Sequence, residues 1–173
     1  MRSLQVASTL MLTLLALLGA TAAPARAQTP APAALPQGPA AVAHWIVDDV
    51  WNKGDFTFVD RMLAPGAQLH YAGHTFALTP QFVVATVTRW RTAFPDFHFV
   101  LADMLIQGDE VALRLPFTGT QRGAFWGSAP TGKPISVSET VIIRLSGNQI
   151  AEIWEDYDEY GMRRQLGIVK PQE

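Results

Sequence analysis

The sequence predicts an α+β domain, with N-terminal helices packed on a strongly curved antiparallel sheet. Three observations carry this. As far as residue 93 the apolar residues recur at helical spacing; from about residue 96 they alternate as in strands. Gly- and Pro-containing turns cut that second part into four pieces of strand length. Helices first and a meander afterwards collect the helices on one face of the sheet.

The chain has 173 residues, enough for one domain with a sizeable core. Its formal net charge is −2 and no basic stripe occurs, which argues against nucleic acid as a partner. Cysteine is absent, so disulfides, thiolate metal sites and a cysteine nucleophile are excluded.

Residues 1–27 read as a signal peptide. Arg2 precedes the apolar run Leu10 to Ala20, and "ARA" (Ala25 to Ala27) supplies a small-x-small cleavage site. Cleavage after Ala27 makes the mature protein periplasmic or secreted and leaves no stable membrane anchor; the alternative is an uncleaved anchor. Residues 28–39, "QTPAPAALPQGP", form a Pro/Ala-rich linker. The folded domain is expected over 40–169.

In order, Val42, Trp45, Ile46 and Val50 mark an amphipathic helix ended by Gly54. A short helix is expected from Phe56 to Leu63, stopped by Pro65-Gly66, and "AQLHYAG" as a short strand. Thr79 and Pro80 start a third helix that runs to about Ala93. "DFHFVLADMLIQ", "EVALRLPFTGTQ", "PISVSETVIIRL" and "QIAEIWEDYD" are the four strands, and "EYGMRRQL" a closing helical turn.

Between the second and third strands, Gly127, four residues and Gly132-Lys133 spell the start of a phosphate-binding loop. Such a loop needs a hydroxyl residue after the lysine and a helix behind it. Pro134 stands there instead, followed by an alternating β-branched run. The motif is a hairpin loop, not a nucleotide site.

The stretches "FPD" (94–96), "GD.VA.R" (108–114), "TGT..G.F.G..PTGK" (118–133) and "W...D..G...QLG" (154–167) resemble the SnoaL-like polyketide cyclase, or ester cyclase, family of the nuclear-transport-factor-2-like superfamily. The resemblance spans about Leu63 to Gly167. It implies a conical, cystatin-like α+β barrel wrapping an apolar pocket, often a homodimer through the outer sheet face. It further implies cofactor-free acid/base chemistry by a carboxylate, usually beside a histidine.

On that resemblance the acid/base aspartate falls on Glu155, one methylene longer. The histidine position falls on Val141, and Gln121 also stands where the family commonly has histidine. His70 resembles the family's histidine on the first short strand. Independently, strand alternation puts Ile135, Val137, Glu139, Val141, Ile143 and Leu145 on one face. Glu139 is the lone carboxylate of that row, either a partner of Glu155 across the strands or a residue paired with an arginine such as Arg114 or placed at a wet rim. Alternation also puts Ala151, Ile153, Glu155 and Tyr157 on one face of the last strand.

Asp158 either caps the final helix or takes part in catalysis. The acidic run around it fails as a calcium loop, because Gly167 stands where the bidentate glutamate belongs. His44, His74 and His98 lack metal-site spacing, so no metal is expected. Trp90, Phe125, Trp126, Val141 and Tyr157 are the expected substrate-binding walls. The functional reading is an exported, cofactor-free cyclase, isomerase or hydrolase on a small apolar carbonyl or ester. The alternative is a non-catalytic periplasmic homodimer that binds a small molecule.

Overall fold

The computed structural model describes residues 34–169. The expected leader and residues 28–33 of the linker lie outside the described residues. The fold begins slightly ahead of the expected boundary. Asn148, in the turn between the last two strands, donates to the Gln37 side chain at 2.6 Å and accepts from the Gly38 amide at 2.8 Å.

Helix α1 runs over Pro39–His44 and continues without a break as π-type turns over Trp45–Lys53. Gly54 ends it in the left-handed conformation (φ 72), as a helix C-terminus favours. Arg91 grips that end, donating to the carbonyls of Trp51 (3.0 Å) and Asn52 (2.7 Å). Helix α2 covers only Val59–Met62. It is shorter than expected at both ends: the Asp55 carboxylate accepts from the Thr57 amide (2.9 Å) and hydroxyl (2.5 Å) in a turn ahead of it, and Leu63 already pairs with Ile150 as strand. Helix α3, Pro80–Ala93, starts and stops where its sequence signals stand, with the Thr79 hydroxyl accepting from the Phe82 amide at 3.1 Å.

The strands are β1 (Leu63–Tyr71), β2 (His74–Ala77), β3 (His98–Phe99), β4 (Asp103–Gln107), β5 (Glu110–Arg114), β6 (Phe117–Thr120), β7 (Pro134–Val137), β8 (Glu139–Ser146) and β9 (Gln149–Tyr157). They form a six-stranded sheet, β2-β1-β9-β8-β5-β4, and a three-stranded one, β3-β6-β7. Three of the four expected strands are therefore creased. The second bends at Leu115-Pro116 and the third at Ser138, so each serves both sheets. Pro116 has no N–H for a ladder, which explains the first crease. The sheet curls strongly without closing into a barrel.

Pairing is antiparallel throughout except between β1 and β9, which run parallel. The β1–β2 hairpin turns on Ala72 (φ 49) and Gly73 (φ 76). An alanine at positive φ is a weak turn signal, so β2 was not legible in the sequence. Between β8 and β9 an extra residue, Ala151, is accommodated by a bulge. Ile150 replaces it on the inner face, fully buried, while Ile153, Glu155 and Tyr157 face inward as alternation requires.

The phosphate-loop lookalike is the long connection between β6 and β7, whose ladder ends at Thr120↔Pro134. Gln121 holds it from within: its amide nitrogen donates to the carbonyls of Gly123 and Ala129, each at 3.3 Å, and its oxygen accepts from the Thr131 hydroxyl at 2.8 Å. The loop docks on the end of α3, where the Ala93 carbonyl accepts from Arg122 (2.8 Å) and Gly123 (3.0 Å). Helix α4, Glu159–Leu166, closes the domain and is capped by Asp158, which accepts from the Gly161 amide at 2.8 Å.

A Cβ at Gly123 would stand 2.5 Å from the Thr92 carbonyl oxygen, a backbone atom that cannot swing aside. Gly123→Ala is expected to destabilise the fold by about 1–3 kcal/mol, read as a lower denaturant midpoint with an unchanged slope.

Candidate active site

Helices α1 and α3 lie over the concave face of the large sheet and leave a cavity of about 310 Å³. Trp51 comes from α1, Phe82, Arg89 and Trp90 from α3, and Tyr71, Glu139, Glu155 and Tyr157 from the strands. Trp90 is the aromatic hub, with ring centroids 4.7 Å from Phe125, 6.1 Å from Tyr157 and 6.2 Å from Trp126. Asn52 fixes the adjoining strand, donating to the Phe99 carbonyl (3.0 Å) and accepting from the Phe99 amide (2.8 Å).

Strand register builds the polar floor. Val141 pairs with Glu155 and Glu139 with Tyr157, while on the other side of β9 Tyr71 pairs with Glu155. Directly paired residues share a face, so two acids and two phenols form one patch across β8, β9 and β1. Glu139, at the crease after Ser138, is only 7% exposed. Among the described residues neither carboxylate pairs with a cation. Arg114, the expected alternative partner of Glu139, is bound to Asp103 instead.

Burial is therefore uncompensated, and it shifts both acids the same way. Glu139 is pushed well above the ordinary carboxylate range, first by burial and then by the charge of Glu155. Glu155 is raised to about 7, again by burial first and by the charge of Asp156 second. Diagonal neighbours on paired strands stand about 7 Å apart, where two full charges repel by roughly 2 kcal/mol at an effective dielectric near 20. That is several times thermal energy.

The phenols are also held in place. Tyr71 and Tyr157 stack with centroids 5.4 Å apart at 7°. The Tyr71 hydroxyl donates to Glu159 at the start of α4, and burial together with that bond raises its pKa to about 12. Burial raises Tyr157 further still. At the mouth, Trp126 is held at φ 48 in a tight turn between Phe125 and Ser128. A bulky residue in that conformation is strained, and such strain concentrates at functional sites. Arg163 lies over its ring at 4.5 Å.

Of the expected site residues, Glu155, Glu139, Trp90, Trp126 and Tyr157 meet at this cavity. Val141 is 6% exposed and lies beside a smaller void of about 30 Å³, shared with both glutamates. Three expectations are corrected. His70 points to the outer face, because Leu69 and Tyr71 take the inner one. It stacks on Trp154 at 5.0 Å, and its Nδ1 lies 3.0 Å from the Thr75 hydroxyl. Phe125 stands behind the wall, packed against Trp90 and Phe94, rather than in it. Asp158 is the helix cap described above, away from the cavity lining. Tyr71, Trp51 and Arg89 were missed; Tyr71 lies two residues after Leu69 on the same face, but that this face is the inner one follows only from the pairing of β1 with β9. Among the described residues no cluster of three or more His, Asp or Glu is placed to hold a metal ion.

No curated protein matches the chain in sequence. Several solved structures share its fold. AclR from Streptomyces galilaeus, proposed to be a hydroxylase, is 22% identical, with a TM-score of 0.67 over 78% of this chain and 83% of its own. TsrD from Streptomyces laurentii is 25% identical, with a TM-score of 0.65 over 74% and 93%. IdmH from Streptomyces antibioticus, a proposed polyketide cyclase, is 26% identical, with a TM-score of 0.64 over 76% and 99%. Residues 41–166 match the family described as SnoaL-like polyketide cyclase, so fold, cavity and sequence agree: the chain belongs to the SnoaL-like polyketide cyclase family.

Proposed function

We propose that the protein is an exported, cofactor-free acid/base enzyme acting on a small apolar carbonyl or ester compound, with Glu155 as the base. The observation that carries this is a carboxylate at the floor of an aromatic cavity, its pKa raised to about 7 by burial. A carboxylate of ordinary pKa is a weak base toward a carbon acid. Desolvation closes part of that gap while leaving Glu155 substantially ionised near neutrality. Tyr71 and Tyr157 flank it and limit the water that would quench the effect.

Cyclisation of a carrier-bound polyketide belongs inside the cell, so export favours a diffusible substrate and an isomerase, hydrolase or small-molecule cyclase. The expectation of a homodimer has its own support on the outer face. Leu105, Ala112, Ile142, Trp154 and His70 form one row across five strands, and Leu105 is 73% exposed. The pairs Arg114–Asp103 and Arg144–Glu152 flank the row with both signs of charge. A second copy of this chain, turned by a two-fold axis, would meet its own complement there.

Glu155→Gln is expected to slow α-proton exchange of 1-indanone in deuterated water at least about 100-fold, measured by NMR. Glu155 acts as its carboxylate, so the wild-type rate should rise with pH through about 7 and then level off. Exchange no faster than buffer, with indanone still bound, would leave a binding module in place of an enzyme. Mass spectrometry of the mature protein recovered from the periplasm or medium of a bacterial host should show Gln28 as its first residue. An intact leader refutes the export reading. Sedimentation should give a dimer that Leu105→Lys dissociates; a monomeric wild type rules out the outer-face pairing.

A further inference from the structure

Deprotonating a carbon acid places charge on its carbonyl oxygen, and no histidine lines the cavity among the described residues to stabilise it. Two residues before Val141, on the same strand face, stands Glu139. It is more deeply buried than Glu155, diagonal to it across β8 and β9, and in contact with the same cavity.

We propose that Glu139 and Glu155 hold one proton between them, and that Glu139, carrying it, donates a hydrogen bond to the substrate's carbonyl oxygen while Glu155 acts as base. This rests on Glu155 being the base of the reading above. The geometry leaves little alternative for the pair's charge. From β9, Tyr157 faces Glu139, and the charge of Asp156 reaches Glu155. From β1, Tyr71 faces Glu155, with Glu159 of α4 behind it. From α3, Arg89 stands in the lining but is exposed to solvent and pairs with neither acid among the described residues. Glu159 is itself neutralised by Arg163, so the nearby acid that counts is Asp156. Two neighbouring acids, neither paired with a cation among the described residues, do not both ionise near neutrality.

The step moves protons only. The Glu155 carboxylate takes the proton from the carbon beside the carbonyl. The C–H electron pair becomes the new C=C bond, the C=O π pair moves to oxygen, and the Glu139 O–H hydrogen-bonds to that oxygen. The enolate then takes a proton back from Glu155 at a carbon, or its carbon attacks a second carbonyl whose oxygen takes that proton instead. Either route restores the starting proton count. A donor aimed where charge develops is worth most where the bound substrate displaces water.

Two measurements on the full mature protein test this without any turnover. Carboxyl-carbon NMR on wild type, Glu139→Gln and Glu155→Gln follows each acid with pH. Glu155→Gln should lower the midpoint of Glu139 by about one to two pH units, whereas Glu139→Gln should leave that of Glu155 nearly in place, because Glu139 is neutral while Glu155 ionises. Visible titration with 4-nitrophenol, whose ionised oxygen mimics an enolate, tests the donor. Wild type should bind it as the phenolate, Glu139→Leu about tenfold more weakly, and Glu139→Gln in between, since an amide still donates. An unmoved Glu139 midpoint in Glu155→Gln, or equal binding by Glu139→Leu with its native fold intact, overturns the proposal. Neither result depends on indanone exchange, so a failure of the base and a failure of the dyad are read separately.

Discussion

The pairing of β8 with β9 is the constraint on which the site depends. Their ladder runs from Glu139↔Tyr157 to Ser146↔Gln149, and it assigns every residue of both strands to a face. A one-residue slip of β9 would turn Glu155 and Tyr157 out to solvent, away from Glu139, and bring Trp154 and Asp156 in. The register is guarded at one end by the Ala151 bulge and at the other by the Ser138 crease, where the Asp158 amide donates to the Ser138 carbonyl at 3.2 Å. Asp158 thus contributes twice to structure, through its amide to the crease and through its side chain to α4. The tryptophan-to-aspartate spacing that marks the family is in this respect an architectural device.

Other family-matching stretches are similarly structural. Asp96 of "FPD" accepts from both the amide and the hydroxyl of Thr120 of "TGT", each at 2.7 Å. Those bonds hold the Asp96 carboxyl below its usual range. Gly123 gives the long loop close access to α3, and Gly161 leaves room for the Asp158 carboxylate, whose oxygen would lie 2.0 Å from a Cβ. The motifs identify the scaffold; their fixed residues include none of Tyr71, Glu139, Glu155 and Tyr157, which line the cavity.

That division explains what could be read from the sequence. Alternation alone put Glu139 with Val141 and Glu155 with Tyr157 on one face of their strands, since period two is a property of the strand and not of its neighbours. The capped helix at Thr79 was legible for the same local reason. What escaped was non-local. Tyr71 reaches the site because β1 lies parallel beside β9, a pairing no local pattern encodes. His70 was misplaced by the same ignorance, for its face is fixed only once Leu69 and Tyr71 are known to point inward. The creases at Leu115-Pro116 and Ser138 escaped because each divides a run whose alternation continues unbroken.

Helix α4 ties these observations together at the cavity mouth. Arg163 rests on Trp126, and the same arginine is paired at 2.6 Å with Glu159, which holds the Tyr71 hydroxyl. One helical turn thus fastens two walls, the strained tryptophan of the β6–β7 loop and the phenol at the tip of β1. The helix acts as a latch on the cavity from outside it, since none of the eight residues Glu159–Leu166 belongs to the lining.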